Sequence, residues 1–257
     1  MKKYQLVGVI LNIQTPEQTS EIYKQFLQII NAKVSIMIDW LTDHEIEYIW
    51  NNCIDNHLYR LYIPKKDLLL DFECYPVNNV NYNYIRVNFD TDVIHLCERI
   101  FPETVVNTDS LTVWKLTQKA SNKFLKENNA APVYYKDVLR VGWVKDNEIY
   151  QCIILNKNKI IANVTKKNCS VMYGTYMLLR YLNEMFGIDE ILIKSDFDDS
   201  YENLLYQILN LPVMHKTNKK KIWWNPEKTK WHIAESERDQ YIPFYFSERV
   251  IYKYPGL

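Results

Sequence analysis

Residues 166–214 read KKNCSVMYGTYMLLRYLNEMFGIDEILIKSDFDDSYENLLYQILNLPVM, and this one run holds a loop, a helix, a strand, an acidic turn and a second helix. Large apolar side chains fall at Met177, Leu178, Tyr181, Leu182, Met185 and Phe186, the stripe of an amphipathic helix. Gly187 follows and can stop that helix in a left-handed cap. Ile191, Leu192 and Ile193 are a short apolar run between polar flanks, as in a buried parallel strand. Asp196, Asp198, Asp199 and Ser200 form a turn and offer N-caps to the second helix. That helix turns Tyr201, Leu204, Leu205, Ile208 and Leu209 inward until Pro212 blocks it.

Upstream, a strand is expected near 111–116, then a helix from Thr117 or Ser121 to about Glu127. Residues 139–144 and 150–155 read as an antiparallel pair turning at Lys145-Asp146-Asn147-Glu148, with a third strand at 159–164. Downstream, 223–225 and 230–233 read as a hairpin, and the tail 236–257 as an aromatic, irregular segment packed back on a domain.

The N-terminal part opens with a strand at 5–13. A helix capped by Thr15 runs to about Ile30, and a strand covers 33–38. Thr42 and Glu45 form a capping box for a short helix through Trp50. Strands at 59–63, 68–75 and 82–89 follow, then a helix from Val93 to Phe101 capped by Thr91 or Asp92. Pro102-Glu103-Thr104 is the expected domain boundary, giving an acidic α/β domain at 1–105 and a second domain at 106–235. The fold class is α/β (α+β) in two domains.

Composition narrows the function classes. The 257 residues are 47% hydrophobic and 24% charged, with no apolar run long enough to span a membrane and no secretory signal, so a cytoplasmic protein without a membrane partner is expected. Five glycines leave no room for a Rossmann fingerprint or a P-loop. The five cysteines, at 53, 74, 97, 152 and 169, are widely spaced with no C-x-x-C and read as free buried thiols. The five histidines are isolated, so no metal site is expected. Net charge is zero, yet residues 1–105 hold nine Lys/Arg against fourteen Asp/Glu, which leaves twenty-two against seventeen for the remainder. The basic half is the natural partner of a polyanion.

Helix, strand ending in Ser195-Asp196, then a helix closing at Leu209-Asn210-Leu211-Pro212-Val213 resembles the C-terminal half of a GNAT N-acyltransferase fold. It is most similar to GNAT-like domains of bacteriophage proteins, including the Mom-type DNA-modification group. The resemblance covers roughly 110–235 and implies a mixed, mostly antiparallel sheet flanked by helices and splayed to admit an acyl-CoA. Pyrophosphate would sit on backbone amides at a helix start, here at Ser170, Tyr173, Gly174 and Thr175 with Lys166 and Lys167 nearby. Of the family's paired small residues, Gly174 alone is present. The resemblance further implies a role for Asp196 at the strand end. It also points to the segment after the first helix, where Asn128-Asn129 lacks the family's histidine and Tyr134 is the candidate proton donor. Capping alone also explains Asp196.

Two further sites come from the residues. Between His215 and His232 lie six lysines, one glutamate and three tryptophans, a basic and aromatic pattern suited to DNA. Its candidate contacts are Lys216, Lys219, Lys220, Lys221, Trp223, Trp224 and Lys230; a solvated hairpin is the plain alternative. Asp71 and Glu73 alternate on one face of a strand and as paired carboxylates could hold Mg²⁺; the pattern resembles that of a degenerate PD-(D/E)xK nuclease, although Tyr75 stands where that family has lysine. The competing account is a pairing of these acids with Arg60 or Arg86. The functional expectations are therefore three: acyl transfer to a nucleobase amine, a catalytically inactive GNAT fold that binds DNA or a host protein, and a metal-dependent nuclease.

Overall fold

The structure, a computed structural model, describes residues 21–51, 60–72, 83–88, 91–188, 190–196, 206, 210–218, 220–224, 233–234, 242–246 and 249–254. The strand expected at 5–13, the start at Thr15, Cys53, Glu73, Cys74 and nearly all of the helix after Asp196 lie outside these residues.

Helix α1 spans Glu21–Asp43. It runs through the segment read as a strand at 33–38. Ile30, Val34, Met37 and Leu41 recur at helical steps and are 0–3% exposed, whereas Ile36 is 44% exposed. The alternation of Val34, Ile36 and Ile38 imitates a strand, but the longer three-and-four spacing carries the buried face. The expected short helix at 42–50 is also corrected. The Thr42 hydroxyl donates to the Ile38 carbonyl (2.7 Å), back into α1, and does not cap a new helix. Strand β1, Ile49–Asn51, takes the place of that helix's end.

Strands β1, β2 (Arg60–Ile63), β3 (Leu68–Asp71) and β4 (Asn83–Arg86) form a sheet in that order, with β3 and β4 parallel. Helix α2, Val93–Ile100, is capped as expected by Asp92, whose carboxylate accepts from the His95 amide. One core joins α1, α2 and this sheet through Ile30, Met37, Leu61, Leu70, Phe72 and Ile100.

The second half begins with β5 (Thr104–Asn107), β6 (Thr112–Lys115) and α3 (Gln118–Glu127). A meander follows of β7 (Val138–Lys145), β8 (Glu148–Asn156) and β9 (Lys159–Thr165). The β7–β8 turn falls where expected, with Asp146 and Asn147 both at positive φ (51° and 64°), as a tight hairpin requires. Then come β10 (Cys169–Met172), α4 (Gly174–Phe186) and β11 (Ile191–Asp196). The last strands are β12 (Val213–Lys216), β13 (Lys220–Trp224), β14 (Ile233–Ala234), β15 (Ile242–Phe246) and β16 (Arg249–Tyr254).

The main sheet has the order β12-β16-β11-β9-β8-β7-β6 and is antiparallel throughout except between β9 and β11. Strand, helix, meander, helix, strand is the expected order. Helix α4 covers one face with Leu178, Leu179 and Leu182, all fully buried; burial of each is worth about 1.5–3 kcal/mol. Its buried stripe is rotated from the one read in the sequence, for Met185 is 63% and Phe186 39% exposed. Gly187 closes α4 at φ 60°, as expected. Phe124 and Leu125 of α3 pack on the opposite face against Cys152 and Ile154.

Two expectations for this half are corrected. The segment before α4 is not all loop, because β10 pairs in parallel with β5 over four residues. The tail is not irregular, because β16 lies between β11 and β12 and pairs with β11 over six residues. Val250, Tyr252 and Tyr254 are buried in the core, so the aromatic tail is a sheet strand. Among the described residues no helix is long and apolar enough to cross a membrane.

Candidate functional site

The site begins where the main sheet parts. Strands β8 and β9 share six register pairs, and so do β11 and β16, but β9 and β11 share one, Lys159 with Leu192. The Leu192 amide donates to the Asn158 carbonyl (2.7 Å) at the same point. Both residues lie near the starts of their strands. The two parallel strands therefore join at their beginnings and separate toward Thr165 and Asp196. Open α/β sheets hold ligands outside such carboxyl ends.

The polypeptide leaving β9 reaches α4 on that same side. Tyr173 is the N-cap residue, in the left-handed region at φ 57°, and its side chain makes no capping hydrogen bond. The first-turn amides of α4 therefore carry the usual positive end of a helix without a side-chain acceptor. A tyrosine at φ 57° adopts a backbone that glycine reaches without steric cost. Tyr173 is 68% exposed.

Gly174 is held tightly behind. Its carbonyl accepts from the Trp143 indole (2.9 Å), and a Cβ would overlap Gln151 Oε1 and meet Val171 Cγ1 at 2.7 Å. Gln151, 2% exposed, donates from Nε2 to Asn163 Oδ1 (2.9 Å) and to Thr175 Oγ1 (2.8 Å). Asn163 Nδ2 donates to the same hydroxyl at 3.2 Å. With two incoming donors, the Thr175 oxygen has its acceptor capacity filled, and its own proton is left to donate. The buried Gln151 Oε1 has no hydrogen-bond partner. Bulges at Tyr150 on β8 and Ile161 on β9 shift the strands beside this network.

Lys166 is committed elsewhere than to the helix start. Its ammonium pairs with Glu148 (2.7 Å) and lies 5.0 Å from the Tyr150 ring centroid. The hydrogen bond to Glu148 raises the Lys166 pKa, and the bond from Lys166 lowers that of Glu148. Burial pushes the Cys169 thiol up. Cys97 and Cys152 are pushed to about 12 by burial, and both are free and buried, as expected of these thiols.

The remaining expected residues are dispersed. The strand end brings Asp196 to the open side of the sheet. Asn128 is structural: Nδ2 donates to the Phe124 carbonyl (2.8 Å) and Oδ1 accepts from the Lys167 amide (2.6 Å). Tyr134 and Tyr135 are each 63% exposed on the loop after α3. Asp71 is fully buried, 3.7 Å from Arg60 Nε, with Arg86 its register partner on β4. This is the pairing weighed against a nuclease site. Among the described residues no group of three potential metal ligands occurs.

The basic hairpin is in part as expected, since Trp224 of β13 pairs with Ile233 of β14. Strand β15 flanks β13 on its other side, so β13 is central to a three-stranded sheet. Lys220, Lys221, Trp223 and Trp224 lie on β13, and Lys216 lies exposed on β12 of the main sheet. Lys219 and Lys230 lie outside the described residues. Sequence reasoning missed Gln151, Asn163 and Trp143. Each sits singly in an apolar strand, and the mutual contact that gives them meaning spans three strands and a helix.

No protein-family profile matches the chain, and no curated protein matches it. Solved structures do. The ribosomal-protein-S18-alanine N-acetyltransferase from Escherichia coli matches at 10% identity over 57% of this chain and 95% of that one, with a TM-score of 0.37. An IAA acetyltransferase from Bacillus cereus matches at 11% identity over 56% and 98%, TM-score 0.37. A GNAT family acetyltransferase from Elizabethkingia anophelis with acetyl-CoA bound matches at 12% identity over 56% and 97%, TM-score 0.31. These are likenesses of chain path and carry no residue correspondence.

Proposed function

We propose that the second half of the chain is an acyl-CoA-dependent N-acyltransferase of GNAT type whose acceptor is an amine on nucleic acid. The observation that carries this reading is the parting of β9 from β11 toward the end where α4 begins. The local donors fit an acyl-CoA pyrophosphate. Helix α4 starts without a side-chain cap, and Thr175 retains a proton to donate. Ser170, Tyr173, Gly174 and Thr175 form the phosphate-facing segment. A bound acyl-CoA would supply an activated thioester carbonyl. Asp196, at the open end of β11, orients the acceptor amine, and the Tyr134 hydroxyl is the proton-carrying group. The lysines and tryptophans of 216–230 hold the polyanion. The domain boundary lies near Pro102–Thr104, and the second domain runs on through β16, beyond the limit at 235 expected from sequence. A phage-encoded, cytoplasmic setting belongs to the same proposal.

The test is incubation with DNA and acetyl-CoA, digestion to nucleosides and mass spectrometry, with calorimetry of CoA binding alongside. An acetyl mass shift supports the reading; absence of both the shift and CoA binding refutes it.

One observation favours the inactive binding-protein reading. Pairing of β10 with β5 engages part of the 169–172 backbone in a ladder, where a free loop would turn its amides toward phosphate. CoA binding without turnover, with a host protein retained on the immobilised chain, selects this alternative. The nuclease alternative would require Asp71 to abandon Arg60 and is the least supported of the three.

A further inference from the structure

We infer that the α3 side of the second half is a binding surface for single-stranded nucleic acid, built from the lysine row of α3 and the aromatic rings of the loop that follows. This deepens the reading above and rests on its nucleic-acid acceptor; it shares Tyr134 with that reading, using the ring where the transferase uses the hydroxyl, and its residues are separate from the 216–230 hairpin.

Lys119, Lys123 and Lys126 are exposed on α3 at four- and three-residue steps, which places them along one side of the helix. Glu127 is the acid on this helix and lies 3.7 Å from Lys123. Between Thr112 and Val138 the chain holds five lysines and two acids, and the Asp92 carboxylate, 3.1 Å from Asn129 Nδ2, is a third acid at the end of α3; the excess of five against three still favours an anion.

The loop that follows is tied to α3 and to β7. Asn122, 7% exposed, borders the lysine row on the buried flank of α3 and accepts from the Val133 amide at 2.9 Å. Arg140, 5% exposed, donates to the carbonyls of Val133 (3.2 Å) and Tyr135 (3.0 Å). Two buried polar side chains therefore fix the backbone at 133–135, while Tyr134 and Tyr135 are each 63% exposed. Trp114, 47% exposed, lies on the adjoining edge strand β6, three residues before the α3 cap Thr117.

Exposed rings on a rigidly held loop, beside regularly spaced lysines, match the two demands of single-stranded nucleic acid. Its bases are free to stack on aromatic faces and its phosphates need cations. A duplex hides its base faces, and an acidic peptide offers none.

The experiment is fluorescence anisotropy of the full chain with a labelled oligo-dT strand, across a salt series. Tyr134→Ala/Tyr135→Ala is expected to weaken binding by about 5- to 150-fold per stacked base, and Tyr134→Phe to retain it. Lys119→Gln/Lys126→Gln is expected to reduce the log–log salt slope by about 0.7 for each phosphate no longer neutralised. Thermal melts of each variant confirm folding. Unchanged affinity in both double variants, or tighter binding of the matching duplex, overturns the proposal. So does loss of binding on Trp223→Ala with none on Tyr134→Ala/Tyr135→Ala. Calorimetry with CoA separates the two proposals. Oligonucleotide binding without CoA binding refutes the transferase and leaves this surface standing, and the reverse refutes this surface alone.

Discussion

Gly174→Ala is the sharpest probe of how the start of α4 is built. Gly174 lies in a helix, so the backbone accepts alanine, and intrinsic propensity favours the change by at most about 1 kcal/mol. Packing opposes it. The new methyl would overlap Gln151 Oε1 and stand 2.7 and 2.8 Å from Val171 Cγ1 and Cβ. Gln151 is buried and tied through Nε2 to Asn163 and Thr175, so moving it forfeits two hydrogen bonds of about 0.5–1.5 kcal/mol each. Val171 Cβ is set by the β10 backbone and cannot rotate away. Overpacking of this kind costs about 1–3 kcal/mol, and subtracting the propensity gain leaves about 0–2 kcal/mol, at the upper end of that range because the Gln151 hydrogen bonds are strained as well. With a urea m-value of about 3 kcal/mol/M, the unfolding midpoint falls by about 0.5 M. Gln151→Ala removes the overlapping oxygen. The double variant should therefore be less damaged than the sum of the singles by about 1 kcal/mol. Gly187→Ala is the control: it sits at φ 60° with nothing within 4 Å, so its cost of about 1 kcal/mol is conformational and uncoupled from Gln151. If Gly174→Ala is as stable as the parent, or shows no coupling to Gln151, the account of a tightly built helix start is wrong.

Asp71→Ala leaves buried guanidinium charge beside Arg60 and Arg86, and should destabilise the N-terminal unit by about 3–5 kcal/mol in denaturant melts. Wild-type protein should also leave a plasmid intact with Mg²⁺, and cleavage that disappears on this substitution would reverse the assignment. The Glu148–Lys166 pair gives a pH signature. A carboxylate whose pKa is lowered on folding stabilises above its unfolded pKa, and the benefit is lost as pH falls through the folded value. Lys166, whose pKa is raised, loses its contribution as pH rises through the folded value. Glu148→Gln should therefore lower the melting temperature slightly at neutral pH, by less than about 1 kcal/mol in stability for so exposed a pair, and match wild type in acid. Truncation after Phe246 removes β16 from between β11 and β12, and cooperative melting of the second half should disappear by calorimetry.

Legibility of the chain follows the distance over which each signal acts. The Asp146-Asn147 turn, the Asp92 and Thr117 caps and the Gly187 stop are contained within a few residues, and each is legible in the sequence as it stands in the fold. Where two local patterns coincide, the sequence misleads: Val34, Ile36 and Ile38 alternate like a strand, and packing of Ile30, Val34, Met37 and Leu41 against the first sheet favours the helix. For the candidate site, Gly174 and Thr175 are reached from the sequence only through the resemblance to a GNAT helix start, since no local pattern marks them.

The amino-acid order alone is enough for α3, the meander of β7, β8 and β9, and α4, because periodicity and capping are written in neighbouring residues. The insertion of β16 beside β11, the pairing of β10 with β5, the parting of β9 from β11 and the convergence of Trp143, Gln151, Asn163 and Thr175 require the folded chain. Each joins segments separated by many residues, and strand partners are chosen by hydrogen bonding and burial across space, for which no single stretch carries the pattern.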